Sequence, residues 1–403
     1  MEVEIEEGRL GDQQLTRLIR NAGIATPAFV YDENQLLADA ACARAAIDGE
    51  RTELLFAVKS FSIEPALRVL APRLDGFSVS SLFEARLARR VLGDRGRVHF
   101  TSPGLRADEI DELCRLCDAI SFNSLAQWQR HADAARGRVS CGLRINPLLS
   151  FVDDERYDPC RRHSRLGEPI DRVATALREQ PHLLAGLDGV LVHNNCEARD
   201  FAPLLATVQR LDRELGPWLA RLQWLNLGGG YLFHAATDLQ PLRQAIRLAQ
   251  QRCGGQILFE PGAAIAKRAG TLVASVVDLF ERDGASVAVL DCSVNHIPEA
   301  FEYQFAPEVS GTQPQGAHAY QLTGCTCLAG DVFGSYRFAQ PLQVGSLVAF
   351  PDFGAYTLVK AHFFNGINLP SIYSLGEGNA LRLRARSSYS SFLEHCGAIT
   401  DAG

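Results

Sequence analysis

Several residues with chemical reach fall at one recurring place, the polar end of a short apolar run. Lys59 closes "LLFAVK", Arg144 lies in "VSCGLRIN", His193 in "GVLVHN", and Glu260 follows "ILF". Gly228, Gly229 and Gly230 close "WLNLGGG". Each alone has an ordinary structural reading: a surface lysine, an arginine holding loop carbonyls, a satisfied core histidine, a tight turn, a glutamate paired with Arg144. Together they describe a particular chemistry. A lysine with a depressed pKa attacks an aldehyde to form an imine. Successive glycines let backbone N–H groups approach a phosphate closely. A carboxylate keeps a pyridine nitrogen protonated, and a flat imidazole stacks on a ring. That set fits pyridoxal 5′-phosphate.

Such residues need a scaffold that points them into one mouth. Buried parallel strands read as nearly continuous apolar runs. Eight occur in order, at 54–59, 76–81, 98–102, 119–124, 139–146, 189–194, 224–230 and 257–262. Most gaps between them hold an amphipathic helix, such as "SLFEARLARRVLG" or "DFAPLLATVQRLDREL". Eight strand–helix units predict a closed (β/α)₈ TIM-type barrel, whose chemistry gathers at the C-terminal strand ends. An open doubly wound sheet is the alternative, but neither GxGxxG nor GxxxxGK[ST] occurs to give it a nucleotide site. The one long gap, 147–168, is polar and broken by proline, as expected of a functional insertion over the strand ends.

After residue 270 the texture changes to β-rich runs separated by Gly, Pro and Asn, which predicts a C-terminal all-β domain. The expected division is an N-terminal segment 1–32 packing with the β domain, a barrel at 33–268, and the β domain at 269–403. The acidic first dozen residues read as a tail or an added strand.

Composition narrows the function classes. A net charge of −7 leaves no electrostatic footprint for nucleic acid or an anionic membrane. No run is long and apolar enough to span a bilayer, and "MEVEIEEGRLGD" lacks a signal-peptide core, so a cytoplasmic protein is expected. The 11 cysteines are odd in number and scattered, unlike a disulfide framework. Cys114 and Cys117 form a CxxC within "DELCRLCDAI", read as a helix with one face inward, and no metal site is expected.

The chain also resembles the decarboxylase branch of the alanine-racemase-fold pyridoxal-phosphate enzymes. That branch holds ornithine, diaminopimelate and carboxynorspermidine decarboxylases, and the likeness is greatest to the last. It rests on "KSFS", "SSLFEARL", "YDPC", "SRLG", "NLGGGY", "EPG", "CLAGD" and "YTLVKAHFFNG", which occur in order over most of the chain.

The resemblance implies that Lys59 carries the cofactor covalently, His193 stacks on its ring, and Glu260 binds the ring nitrogen. It puts Arg144 beneath the cofactor and Gly228, Gly229, Gly230 and Gly262 around it, with Tyr356 reaching the phosphate from the β domain. Cys327 would return a proton to the carbanion carbon and Asp331 would contact the substrate amine. In the family these last two come from the partner subunit, so a homodimer with shared sites is implied. Glu299 and Glu302, in "CSVNHIPEAFEYQFAP", and Arg165, in "SRLG", are the candidate substrate contacts.

Glu260 separates two reactions, because racemases of this fold pair the ring nitrogen with arginine, which weakens the electron sink. The expected activity is decarboxylation of a carboxylated polyamine, carboxynorspermidine or carboxyspermidine. Ala263 stands where the family usually has a polar or charged residue, and "HNNCE" and "FPDFGAYT" differ in detail. These departures keep other substrates open, a diaminopimelate-like or siderophore-type amino acid among them. An amino-acid racemase and a silent partner-binding relative complete the alternatives.

Overall fold

The computed structural model describes residues 12–398, so the acidic start of the chain, but for Asp12, lies outside them. Two compact units emerge: Asp39–Ile265, and the remainder of the described chain.

The first unit is the barrel. Its strands are Thr52–Ala57, Gly76–Val79, Arg97–Ser102, Ala119–Phe122, Ser140–Asn146, Gly189–Val192, Trp224–Asn226 and Gln256–Phe259. All neighbours pair in parallel, the fourth strand with the fifth and the eighth with the first, which closes the ring. Both faces of these strands are buried, as the continuous apolar runs require. The open-sheet alternative is thereby removed.

Several strands stop short of the apolar run, because apolarity alone does not separate a strand from the turn that follows it. The first ends at Ala57, which leaves Lys59 in the 3₁₀ turn Val58–Ser60. His193 and Glu260 are each the first residue beyond a strand. The three glycines form the turn after Asn226.

The barrel floor repeats one device. Asp75, Asp118 and Asp188 each precede a strand, and their carboxylates accept the N–H of Leu54 (2.7 Å), Val98 (2.8 Å) and Cys141 (3.2 Å) on the neighbouring strand. Above that floor Trp224 packs with Leu55, Ala119, Leu191 and Leu258. Its indole N–H donates to Ser140 Oγ at 2.9 Å. Gly142 and Gly189 make room for the ring, since a Cβ on either would lie 2.1 Å from it. Gly189→Ala is therefore expected to lower stability by about 2–3 kcal/mol, the scale of core overpacking. Chemical denaturation measures this; a loss below about 0.5 kcal/mol would mean that Trp224 yields freely.

The insertion after the fifth strand has no helix or strand before Glu168, yet it is held at many points. Asp158, buried, accepts from Ser150 Oγ (2.5 Å) and from the N–H of Cys160 (2.8 Å). Asn123, just past the fourth strand, accepts the Gly167 N–H (3.0 Å) and donates to the Arg165 carbonyl (2.8 Å).

The second unit is mostly sheet. Its central strand, Gly270–Arg282, pairs antiparallel with Ala28–Asp32, Ala285–Leu290 and Leu347–Phe350. Ala28–Asp32 continues in parallel to Ser371–Leu375, so the segment "TPAFVYD" belongs to this sheet. Short helices at Asp12–Asn21, Pro298–Tyr303 and Tyr389–His395 qualify the all-β expectation. Among the described residues, no helix is long and apolar enough to cross a membrane.

Candidate active site

The barrel's strand ends bring Lys59, Arg144, His193 and Glu260 within electrostatic reach of one another. Lys59 keeps a solvent-accessible surface between two buried neighbours, Val58 and Ser60, as befits a side chain at the bottom of a mouth. Crowding by barrel atoms lowers its ammonium pKa; Arg144 adds to this, and Glu260 and Glu84 oppose it. The amine form that attacks an aldehyde is thus favoured.

Arg144 is buried inside the fifth strand, its guanidinium pushed down to about 10 by desolvation against the pull of Glu260. Its Nη2 lies 3.5 Å from the His193 carbonyl. His193 accepts the Gly229 N–H at Nδ1 (3.1 Å), and desolvation together with Lys59 and Arg144 holds its pKa well below the usual imidazole value. A neutral, fixed, flat ring results.

The glycine turn is a built feature. Gly228 (φ +68°) and Gly230 (φ +92°) have left-handed backbones, and a Cβ would meet Val192 O at 2.5 Å and Asn195 O at 2.2 Å respectively. On Gly229 it would meet Glu260 O at 2.3 Å. These residues press the turn onto the ends of the sixth and eighth strands. Gly262 is held as closely against Ser60, 2.9 Å from a would-be Cβ.

Glu260 is 9 % exposed, and burial raises its carboxyl pKa. Hydrogen bonds from Asn226 Nδ2 (2.6 Å) and from Ser78 favour the ionised form against that burial.

Arg165 is exposed on the insertion. Cys160, of "YDPC", has its thiol pushed up to about 11 by burial, with Asp158 adding and Arg144 opposing, so it is an inert neighbour of Arg144.

Four residues near this centre escaped the sequence reading: Ser78, His99, Asn226 and Glu84. The first three are polar residues inside strands, masked by the apolar runs around them. Glu84 had a visible signal, the S-x-x-E spacing of a capping box in "SSLFEARL". Its carboxylate accepts the Ser80 N–H (2.7 Å), Ser81 Oγ caps its own N–H (3.2 Å), and its charge acts on Lys59.

The second unit carries the other candidates. Cys327 is exposed, its N–H bonded to Asn365 Oδ1 at 2.7 Å. Asp331 is 3 % exposed and its carboxylate accepts from the Val294 N–H (2.9 Å) and from Thr326 N–H (3.0 Å) and Oγ1 (2.6 Å). It thereby braces the loop that presents Cys327. Glu299 (3.4 Å) and Glu302 both bind the Lys360 ammonium, which also lies 5.5 Å from the Tyr303 ring centre. Tyr356 is half-buried with φ +56°.

The barrel residues fit pyridoxal 5′-phosphate: an amine for its aldehyde, a carboxylate for its ring nitrogen, a neutral imidazole for its face, and a glycine cradle.

Comparison with known proteins agrees. The family described as "Pyridoxal-dependent decarboxylase, C-terminal sheet domain" matches residues 28–354. The chain is 36 % identical to the carboxynorspermidine/carboxyspermidine decarboxylase of Herminiimonas arsenicoxydans over 351 residues, 87 % of this chain and 93 % of the relative. It is also 36 % identical to the carboxyaminopropylagmatine decarboxylase of Synechocystis sp. over 384 residues, 94 % of this chain and 97 % of that one. The crystal structure of carboxynorspermidine decarboxylase from Campylobacter jejuni, complexed with norspermidine, superposes with a TM-score of 0.83 at 30 % identity. That match covers 92 % of this chain and all of the other.

Proposed function

The chain belongs to the pyridoxal-dependent decarboxylase family, and from that premise we propose that its substrate is a carboxylated polyamine of the carboxynorspermidine or carboxyspermidine type, released as CO₂ and the free polyamine. Pyridoxal 5′-phosphate supplies a ring that takes up the electron pair left when CO₂ departs. Lys59 holds the cofactor, and its depressed pKa keeps the amine ready for exchange with the substrate amine. Glu260 holds a proton at the ring nitrogen and so keeps the ring a strong sink. The observation that carries the decarboxylase chemistry over racemisation is this carboxylate, backed by Asn226 and facing the same mouth as Lys59. His193 would stack on the ring, Gly228, Gly229, Gly230 and Gly262 would hold the cofactor's phosphate end, for which Tyr356 is a further candidate, and Arg144 would lie beneath it.

Cys327 returns the proton to the carbon that lost CO₂, acting from a second copy of the chain in a homodimer. Asp331 contacts the substrate amine, and its hydrogen bonds to Val294 and Thr326 fix the loop that presents Cys327. Glu299, Glu302 and Arg165 recognise the substrate. The two glutamates now hold Lys360, whose ammonium is the chemical equivalent of a polyamine terminus, which supports an ammonium-binding role. A cytoplasmic location, a barrel at 33–268 and a β domain at 269–403 complete the proposal.

The identity shared with the Synechocystis enzyme favours one second reading, a substrate whose distal end is a guanidinium. Mass spectrometry of the loaded enzyme with carboxynorspermidine, carboxyspermidine, carboxyaminopropylagmatine and meso-diaminopimelate separates the two. CO₂ loss is expected from the first pair, at least about tenfold faster than from the others, a difference of about 1.4 kcal/mol in transition-state binding. Preference for carboxyaminopropylagmatine would select the second reading, and turnover of diaminopimelate alone would refute both.

A further inference from the structure

Behind Glu260 runs a buried polar chain that the roles above leave unused. Asn226 and His99 are 0 % exposed and Ser121 is 1 % exposed. Polar groups this deep in a barrel destabilise it unless hydrogen-bonded, so their arrangement is informative.

The donors and acceptors admit one consistent assignment. The Gly228 N–H points at the Asn226 amide at 2.8 Å, so the atom it meets is Oδ1. The amide nitrogen then faces both Glu260 Oε1 (2.6 Å) and His99 Nδ1 (3.1 Å). An amide NH₂ only donates, so His99 Nδ1 accepts and its proton sits on Nε2, donated to Ser121 Oγ at 2.8 Å. Burial holds His99 neutral, its pKa pushed down to about 3, so it remains an acceptor toward Asn226 near neutral pH. The Trp224 ring, edge-on with centroids 4.8 Å apart, fixes the imidazole from the side. One side chain, Asn226, is therefore bonded at one end to the turn of Gly228 and at the other to Glu260.

We propose that Asn226, held in a single orientation by His99, is a positioning residue: it ties Glu260 to the glycine turn and directs Oε2 to the cofactor's ring nitrogen. The inference rests on the pyridoxal-phosphate reading and adds to it what sets the spacing between ring nitrogen and phosphate. A merely structural network would satisfy buried groups without influencing the ring.

Asn226→Asp distinguishes the two. It preserves shape and still accepts the Gly228 N–H, but it sets an oxygen where the amide nitrogen donates to Glu260. Two carboxylates at that separation share a proton, so Glu260 no longer offers a full negative charge to the ring. The expected result is retained cofactor, kcat lowered about 10²-fold or more with little change in KM, and a shifted visible band of the lysine-bound cofactor with altered pH dependence. His99→Gln, which keeps an acceptor for Asn226, is expected to stay near wild type, and His99→Leu to move kcat and spectrum in the same direction as Asn226→Asp.

An Asn226→Asp enzyme with wild-type kcat, spectrum and pH profile would overturn the positioning role. So would His99→Gln and His99→Leu variants that lose stability equally with unchanged spectra. A wild-type protein that shows no lysine-bound band when given pyridoxal 5′-phosphate would instead overturn the cofactor reading, and this inference with it.

Discussion

Lys59→Ala is expected to yield a folded protein that retains no borohydride-reducible cofactor and whose turnover falls by more than about 10³-fold, the scale seen when a covalent catalytic group is removed. The fold survives because the backbone around Lys59 is secured without its side chain. The Ala57 N–H donates to the Pro261 carbonyl (3.0 Å), Ser60 Oγ donates to the Ala57 carbonyl (2.8 Å), and the Phe61 N–H closes the turn on Val58 O (3.0 Å). The substitution removes the repulsion from Arg144 together with the attraction of Glu260 and Glu84, which offset one another. Thermal denaturation of the unloaded protein is therefore expected within a few degrees of wild type, a change below about 1 kcal/mol. Mass spectrometry after borohydride reduction reads the attachment directly. A reducible adduct that persists in Lys59→Ala would transfer the attachment to another residue.

How much of this centre was legible depended on whether the signal was local. The eight barrel strands were, because a strand buried on both faces must be apolar along its length, and runs such as "LLFAVK" and "GVLVHN" meet that condition. Lys59, His193 and Glu260 were legible for the same reason, as the first polar positions closing such runs, whereas Arg144 stood out as a charge inside one. The group behind Glu260 was not. Ser78 lies in the second strand, His99 in the third, Ser121 in the fourth and Asn226 in the seventh, so their meeting exists only once the barrel closes. In sequence each is one polar residue inside an apolar run.

The second unit was legible as a β-rich domain, but not all of its strands were. In Val332–Phe338, "VFGSYRF", Ser335 and Arg337 are exposed between the more buried Gly334, Tyr336 and Phe338, so polar residues interrupt the strand and it offers no continuous apolar run. Asp331, read as a substrate contact, occupies its carboxylate with Val294 and Thr326, partners that only the folded loop identifies.

Glu260→Gln tests the electrostatics of the ring nitrogen with almost no change of shape, and kcat is expected to fall about 10²–10³-fold with the cofactor still bound. The direction follows from Asn226. Its amide nitrogen faces Glu260 Oε1 at 2.6 Å and can only donate, so a glutamine there must present its carbonyl oxygen to Asn226. The glutamine NH₂ is then left on the side meant for the cofactor, where it donates a hydrogen bond to the ring nitrogen. A nitrogen that accepts a hydrogen bond is unprotonated, and an unprotonated pyridine is a poor sink for the electrons released with CO₂. Glu260→Asp instead keeps the charge but shortens the side chain by one methylene, so it loses the contact with Asn226 while retaining an acceptor, and is expected to be impaired less than Glu260→Gln. Steady-state kcat with the visible spectrum of the bound cofactor measures both. Turnover of Glu260→Gln within about fivefold of wild type, less than about 1 kcal/mol, would mean that the ring nitrogen's proton does not govern the step.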